Sequence, residues 1–203
     1  EDERLGGKGE LGQLEVKALG MHNVRNALAA CCVGLCLGLR FPHIADGLRM
    51  YDGVRRRLQV CGEQRGVLVV EDYAHHPTEL ESTIEAARWI RPRRIIAVFQ
   101  PHLFSRTKFF CEQFAEVLSK VDQAVVTDIY PSREQPMAGV DSGLIVDAAR
   151  QHGAGNVQLI NDMHAVPGRI ADDLKPGDMV LVLGAGNINQ IAEPLLQEMA
   201  RQS

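Results

Sequence analysis

The 203 residues carry 45% apolar and 24% charged side chains and a net charge of −4. That balance suits a globular chain and gives no electrostatic reason to meet a nucleic-acid backbone. The longest apolar stretch, Ala27 to Leu39, contains three cysteines and two glycines and is too short to cross a bilayer. The five cysteines form no paired framework, so a reducing cytoplasm is the expected setting, and no signal-peptide pattern precedes the apolar stretch.

In chain order, "ELGQLEVKAL" (10–19) reads as a short strand, "NVRNALAACCVGLCLGL" (23–39) as an apolar helix and residues 44–50 as a second helix. Cys31, Cys32 and Cys36 are expected as small buried hydrophobes of that first helix. One strand and two helices bury too little for a core of their own. Residues 1–54 are therefore expected to be the end of a preceding domain, with 55–203 a domain proper.

The rest of the chain alternates. Residues 57–61 and 67–72, separated by "GEQR", predict an opening hairpin. Apolar runs at 67–70, 95–99, 124–129, 157–160 and 179–183 predict strands, and 77–90, 105–119, 142–152, 166–174 and 188–201 predict helices. The strand runs are nearly continuous rather than alternating, as strands buried on both faces require. The fold class expected is α/β: a doubly wound, mostly parallel sheet with helices on both faces.

Chemistry collects where strands end. "VVEDYAHHPTELES" (69–82) places Asp72 and Tyr73 at the carboxyl end of a strand, where open α/β sheets bind ligands. Pro77 suits a first helical position, which puts His76 at the N-cap and Glu79 in the first turn. Three readings stand: a metal site, which adjacent and diverging histidines disfavour; pure helix capping; and ligand contact by Asp72, Tyr73 and His75. "FQPHLFSRTKFF" (99–110) repeats the arrangement after the next strand, with His102 in a loop and Ser105 capping a helix that holds Arg106 and Lys108. An arginine there can grip a carboxylate or phosphate, or it can simply be solvated.

Weaker signals complete the set. In "GMHNVRNALAA" (20–30), His22, Asn23 and Asn26 lie at a helix start, and the two asparagines share a face. Their amides can read an adenine edge or merely cap the helix. Of three arginines in "YDGVRRRLQV", alternate ones face opposite ways, so one can reach a nucleotide. "LVLGAGNINQ" imitates a dinucleotide fingerprint, but Asn189 replaces its third glycine, so Gly184 and Gly186 are read as a tight strand-to-helix turn. Cys61 and Cys111 lack a neighbouring histidine that would activate them.

Together these segments resemble the Mur ligases. "GMHNVRNALAA" is similar to the family's GxHNxxNxxAA, "GVRRRLQ" to GVxRRFE, "EDYAHHPTE" to DDYAHHPTE, "FQPHLFSRT" to FQPHxxSRT and "LGAGNI" to LGAGDI. The likeness is nearest to the branch that joins L-alanine to the lactyl carboxylate of UDP-N-acetylmuramate in peptidoglycan synthesis. It implies ATP and Mg²⁺, an acyl phosphate intermediate, and attack by the amine of alanine. By the same resemblance His22, Asn23, Asn26, Arg57 and Asp72 bind the nucleotide. Tyr73, His75 and Arg106 face L-alanine, His75 and Arg106 as catalytic residues.

The chain also departs from the family pattern. Leu58 and Gln59 replace Phe-Glu, Asn187 replaces an aspartate, and Leu103 stands where some members carry an arginine. No GxxxxGK[ST] phosphate loop is present, since "GGKGE" (6–10) lacks its spacing. The resemblance therefore implies the family's C-terminal domain with a short remnant of the ATP-binding domain, inactive alone and without metal ligands of its own. Alternatives are a ligase that recycles the murein tripeptide and a stand-alone, non-catalytic nucleotide-binding module.

Overall fold

Apolar residues recurring at helical spacing form α1 (Met21–Cys36), which a short turn joins to α2 (Phe41–Met50), with Pro42 in its first turn, where the missing N–H costs nothing. Among the described residues, Ala27, Cys31 and Gly34 on α1 and Ile44 on α2 are buried. These helices belong to one of two compact units of the chain, Glu1–Arg55 and Arg56–Ser203. The computed structural model describes residues 10–18 and 20–201; the "GGKGE" segment apart from Glu10 lies outside them.

Two expectations for the first unit are corrected. Residues 10–18 form no strand, because an isolated extended segment has no ladder partner for its backbone groups. Only Cys31 of the three helix cysteines is buried, while Cys32 and Cys36 are exposed. A helix packed along one stripe hides residues three and four apart, not their neighbours.

The second unit opens with a hairpin, β1 (Gln59–Gln64) against β2 (Val67–Asp72). Its turn is Arg65-Gly66, with φ of 54° and 73°, the two-residue geometry whose twist matches the strands. "GEQR" is thus mostly strand, and the pairing shifts register at Cys61. The chain continues through α3 (Pro77–Arg88), β3 (Ile95–Phe99), α4 (Phe104–Leu118), β4 (Gln123–Val126), α5 (Gly143–Gln151), β5 (Val157–Leu159), α6 (Val166–Ile170), β6 (Met179–Leu183) and α7 (Ala192–Arg201). A single sheet runs β1-β2-β6-β3-β4-β5, parallel except for β1, as the strand runs predict. β4 stops at Val126 rather than 129. The predicted helices at 166–174 and 188–201 are each part 3-10 turn, at Ala171–Asp173 and Ile188–Ile191.

Alternate residues of the strands build two cores. Val67, Val69, Ile96, Val98, Val180 and Val182 pack with residues of α6 and α7, whereas Phe99 faces the other way onto Phe114 of α4, ring centroids 5.0 Å apart. Every residue of β3 and β6 is buried. β6, last in sequence, enters the sheet between β2 and β3, so the chain order reverses there and the carboxyl ends of β2 and β3 flank its own.

At the opposite edge, Asp178 is 1% exposed and meets Arg94 at 2.7 Å and the Lys175 N–H at 2.9 Å. Burial alone would raise its carboxyl, but the Arg94 hydrogen bonds, the Lys175 N–H and the charge of Arg93 together hold it below the usual value. A depressed folded value means stability that is complete above the unfolded pKa of about 3.9 and lost as pH falls through the folded one. Asp178→Ala, which leaves Arg94 to Asp173, is expected to cost roughly 2 kcal/mol, the scale of a hydrogen bond to a charged group, or about 4–8 °C in the melting temperature. Thermal melts as a function of pH should show the gap from wild type closing below about pH 4.

Candidate functional site

The turn after β6 is the centre of the site. Gly184 N donates to Asp72 O at the end of β2 (3.1 Å), and Gln100 N, after β3, donates to Leu183 O (3.0 Å). Gln100, 6% exposed, then uses its side chain on the same turn: Nε2 donates to Asn187 Oδ1 at 2.9 Å and Oε1 accepts from Ile188 N at 3.1 Å. A Cβ on Gly186 would lie 2.6 Å from Tyr130 Cγ, and Gly184 takes a φ of 147°, so both positions demand glycine. Among the described residues the turn serves packing between strand ends, in line with its reading as a strand-to-helix turn.

The three arginines separate here. Arg56, with φ of 59°, donates Nη2 to Gly184 O (2.5 Å) and Gly186 O (3.0 Å), and lies 4.7 Å from the Tyr73 ring centroid. Arg57 is exposed, its guanidinium 6.0 Å from the same ring. Asp72 is 5% exposed and both carboxylate oxygens are engaged, Oδ2 by Leu58 N and Oδ1 by Ala74 N, each at 2.8 Å. It therefore fixes the turn that presents Arg57, a role that its place in the sequence did not reveal.

The two histidines differ as expected. His76 is the N-cap of α3, its Nδ1 accepting from Thr78 N at 3.3 Å, and its ring abuts Phe110 at 4.6 Å. Glu79 reaches back to His75 N at 3.0 Å, completing a reciprocal cap. Burial opposes ionisation of Glu79, but the His75 and His76 N–H groups and the His75 and Arg57 charges outweigh it and lower its carboxyl. His75 places Nδ1 at 2.9 Å from Tyr73 O and 3.2 Å from Glu79. A carbonyl only accepts, so Nδ1 carries the proton and Nε2 is the basic nitrogen. Tyr73, 38% exposed, meets the His75 ring edge-on at 5.4 Å, and the His102 ring is 5.8 Å from His75.

β3 brings its own groups to this edge. The helix cap here is Leu103, with φ of 73°, and not Ser105. Ser105 turns instead to Glu134, donating N (3.0 Å) and Oγ (2.5 Å). Arg106 Nη1 and His102 Nδ1 are buried with no hydrogen-bond partner. Burial, then the Arg106 charge, then His75 push the His102 imidazole below its ordinary 6.5. The edge thus presents unpaired donors, a neutral imidazole and a partly exposed tyrosine, a set suited to an anion with an adjoining amine. Sequence reading singled out Tyr73, His75 and Arg106 but gave no weight to Arg56, Gln100 or Tyr130. The close spacing of "RRR" offered no sign of which arginine turns inward.

The first unit holds a cleft of about 380 Å³ lined by Asn23 and Asn26, with Val16, Ala27, Leu48 and Tyr51 as apolar walls. Asn26 Nδ2 donates to Asn23 Oδ1 at 3.4 Å. The side chain of His22 lies outside the described residues. Tyr51 was missed, although it directly precedes the arginine segment. Among the described residues no group of three or more His, Cys, Asp or Glu converges to hold a metal. The Mg²⁺ implied by the resemblance thus has no ligand set among them. No helix among them is long and apolar enough to cross a membrane.

The fold is that of a doubly wound α/β domain, with Tyr73, His75, His102 and Arg106 following the strand ends at its topological switch point. Residues 56–186 match the family model described as Mur ligase, glutamate ligase domain, and the chain belongs to that family. It is 46% identical over 188 residues to the UDP-N-acetylmuramate–L-alanine ligase of Salinibacter ruber, covering 92% of this chain and 40% of that one. It is also similar to the crystal structure of the UDP-N-acetylmuramate–alanine ligase of Thermotoga maritima, with TM-score 0.78 and 25% identity over 94% of this chain and 40% of that one. A crystallised domain of a Haemophilus ducreyi protein, described as a UDP-N-acetylmuramate:L-alanyl-γ-D-glutamyl-meso-diaminopimelate ligase, matches with TM-score 0.53 and 26% identity over 70% of this chain and 99% of that domain. The chain spans about two fifths of the length of the curated relatives it matches.

The Arg106 charge is one cause of the depressed His102 titration. In Arg106→Gln the His102 midpoint, followed by NMR, should move up toward 6.5, and an unmoved midpoint would separate the two groups.

Proposed function

We infer that this chain supplies the amino-acid site and part of the nucleotide site of an ATP-dependent ligase that joins L-alanine to UDP-N-acetylmuramate. The observation that carries this is the buried, partnerless Nη1 of Arg106 beside His102, within the segments that match the family. A buried guanidinium nitrogen left unpaired costs free energy that a ligand carboxylate would recover. Arg106 would hold the alanine carboxylate and Tyr73 would wall the site.

In the reaction the lactyl carboxylate takes the γ-phosphoryl group of ATP and ADP leaves. The alanine nitrogen then attacks the acyl carbon, the C–N bond forms, the C–O bond to phosphate breaks, and inorganic phosphate leaves. His75 Nε2 would take the proton that the alanine ammonium must lose to become a nucleophile. The chain's contribution is otherwise orientation. For the nucleotide, Asn23 and Asn26 would read adenine in their cleft, with His22 assigned by resemblance alone. Arg57 would meet the phosphates, and Asp72 would act through the turn it holds. Glu1–Arg55 would be the end of the ATP-binding domain, and the setting cytoplasmic. This chain alone is expected to be inactive.

A second reading, ligation of the tripeptide L-alanyl-γ-D-glutamyl-meso-diaminopimelate, is favoured by the likeness to the Haemophilus ducreyi domain. Phosphate release by the longer protein that carries this chain, offered UDP-N-acetylmuramate with either L-alanine or the tripeptide, separates the two. Turnover with L-alanine supports the first reading, turnover with tripeptide alone supports the second, and neither would discard both. Arg106→Ala should raise the KM for L-alanine about 10- to 100-fold, the range of a hydrogen-bonded charge, while the KM for ATP stays put.

A further inference from the structure

The loop after β4 is folded over the start of α4 and fastened at two points. Glu134 accepts from Ser105 N at 3.0 Å and Ser105 Oγ at 2.5 Å, which keeps its carboxyl below the usual value. Tyr130 N donates to Pro101 O at 2.8 Å and Leu103 N to Tyr130 O at 3.0 Å. The Tyr130 ring also stacks on His102, centroids 5.7 Å apart. Between these anchors Ser132 takes a φ of 54°, a conformation costly for a residue with a Cβ and kept only where its surroundings enforce it.

Arg133 sits between Ser132 and the Glu134 anchor. It is therefore held one residue from a carboxylate that grips Ser105, itself the neighbour of Arg106. The side chain is exposed, and among the described residues it closes no ion pair. Its charge is felt at His102, which it helps to lower. At the start of α4, position 103 is a leucine, so Arg106 is left as the one arginine between β3 and Phe110. A carboxylate has about four acceptor sites, more than a single guanidinium edge can fill.

We propose that Arg133 is a second cation for the carboxylate of the incoming amino acid, held near the start of α4 by the fastened loop and selecting carboxylates over neutral amides. This rests on the reading of Arg106 as the amino-acid clamp. No bond is made or broken by Arg133. It binds the group that does not react and leaves the amine free. The same guanidinium could meet a phosphoryl oxygen instead, and the two anions are told apart by which substrate's KM responds.

The test compares L-alanine with L-alaninamide as nucleophile in the longer protein that carries this chain. Arg133→Gln should lower the preference for L-alanine roughly fivefold, the scale of a partly solvated charge pair, through KM for L-alanine with KM for ATP unchanged. Arg133→Lys should restore most of it, and Lys108→Gln, which removes an exposed charge two residues from Arg106, should leave it intact. An unchanged preference in Arg133→Gln beside a reduced one in Arg106→Ala overturns the proposal and spares the amino-acid clamp. A rise in KM for ATP alone, or an equal effect of Lys108→Gln, also overturns it. If Arg106→Ala leaves the preference unchanged, the clamp reading fails and the proposal falls with it.

Discussion

The structure of the second unit depends on one constraint: β6 must enter between β2 and β3, and the residue after it must turn without a side chain. The backbone bonds from Gly184 to Asp72 and from Gln100 to Leu183 can form only when three strand ends lie level. Arg56 and Gln100 then saturate the turn from two sides, one through its carbonyls and one through Asn187 and Ile188. Buried backbone groups need such partners, and here each partner also positions a functional neighbour. Arg56 lies over Tyr73, and Gln100 precedes the Pro101–His102 segment.

The two edges of the sheet are treated in opposite ways. At the amino edge, buried Asp178 is met by Arg94, by Arg93 at longer range and by a backbone N–H, so charge is hidden and matched. At the carboxyl edge Arg106 Nη1, His102 Nδ1, Arg56 Nε and Thr127 Oγ1 are buried without hydrogen-bond partners. A fold rarely leaves several such groups together, and here they concentrate at one edge. The buried flanking strands hold those groups in place.

Much of the fold was legible because parallel strands buried on both faces leave unbroken apolar runs, and β3 and β6 were read to the residue. The losses were local. The N-cap of α4 was placed on Ser105 because serine commonly caps, but Leu103 adopts a left-handed conformation imposed by Tyr130 and Thr107, a contact made across the sheet edge. The bonds of Asp72 to Leu58 and Ala74 were not legible either, because they arise only once the hairpin forms. The cysteines of α1 failed for a simpler reason. Composition shows that a helix is apolar, and only its partners decide how many of its faces are covered.

The histidine pair shows how a short motif divides labour. A proline after His76 starts α3 and spends that imidazole on the Thr78 N–H, while Glu79 returns to the His75 backbone. The cap thus immobilises the chain through which His75 is presented, and the Tyr73 carbonyl fixes the His75 tautomer. Exchanging the two roles is not open to the chain, because the N-cap side chain must fold toward the helix and the residue before it must point away. One histidine is spent on the helix cap, while the other is tied through Nδ1 to the Tyr73 carbonyl and to Glu79.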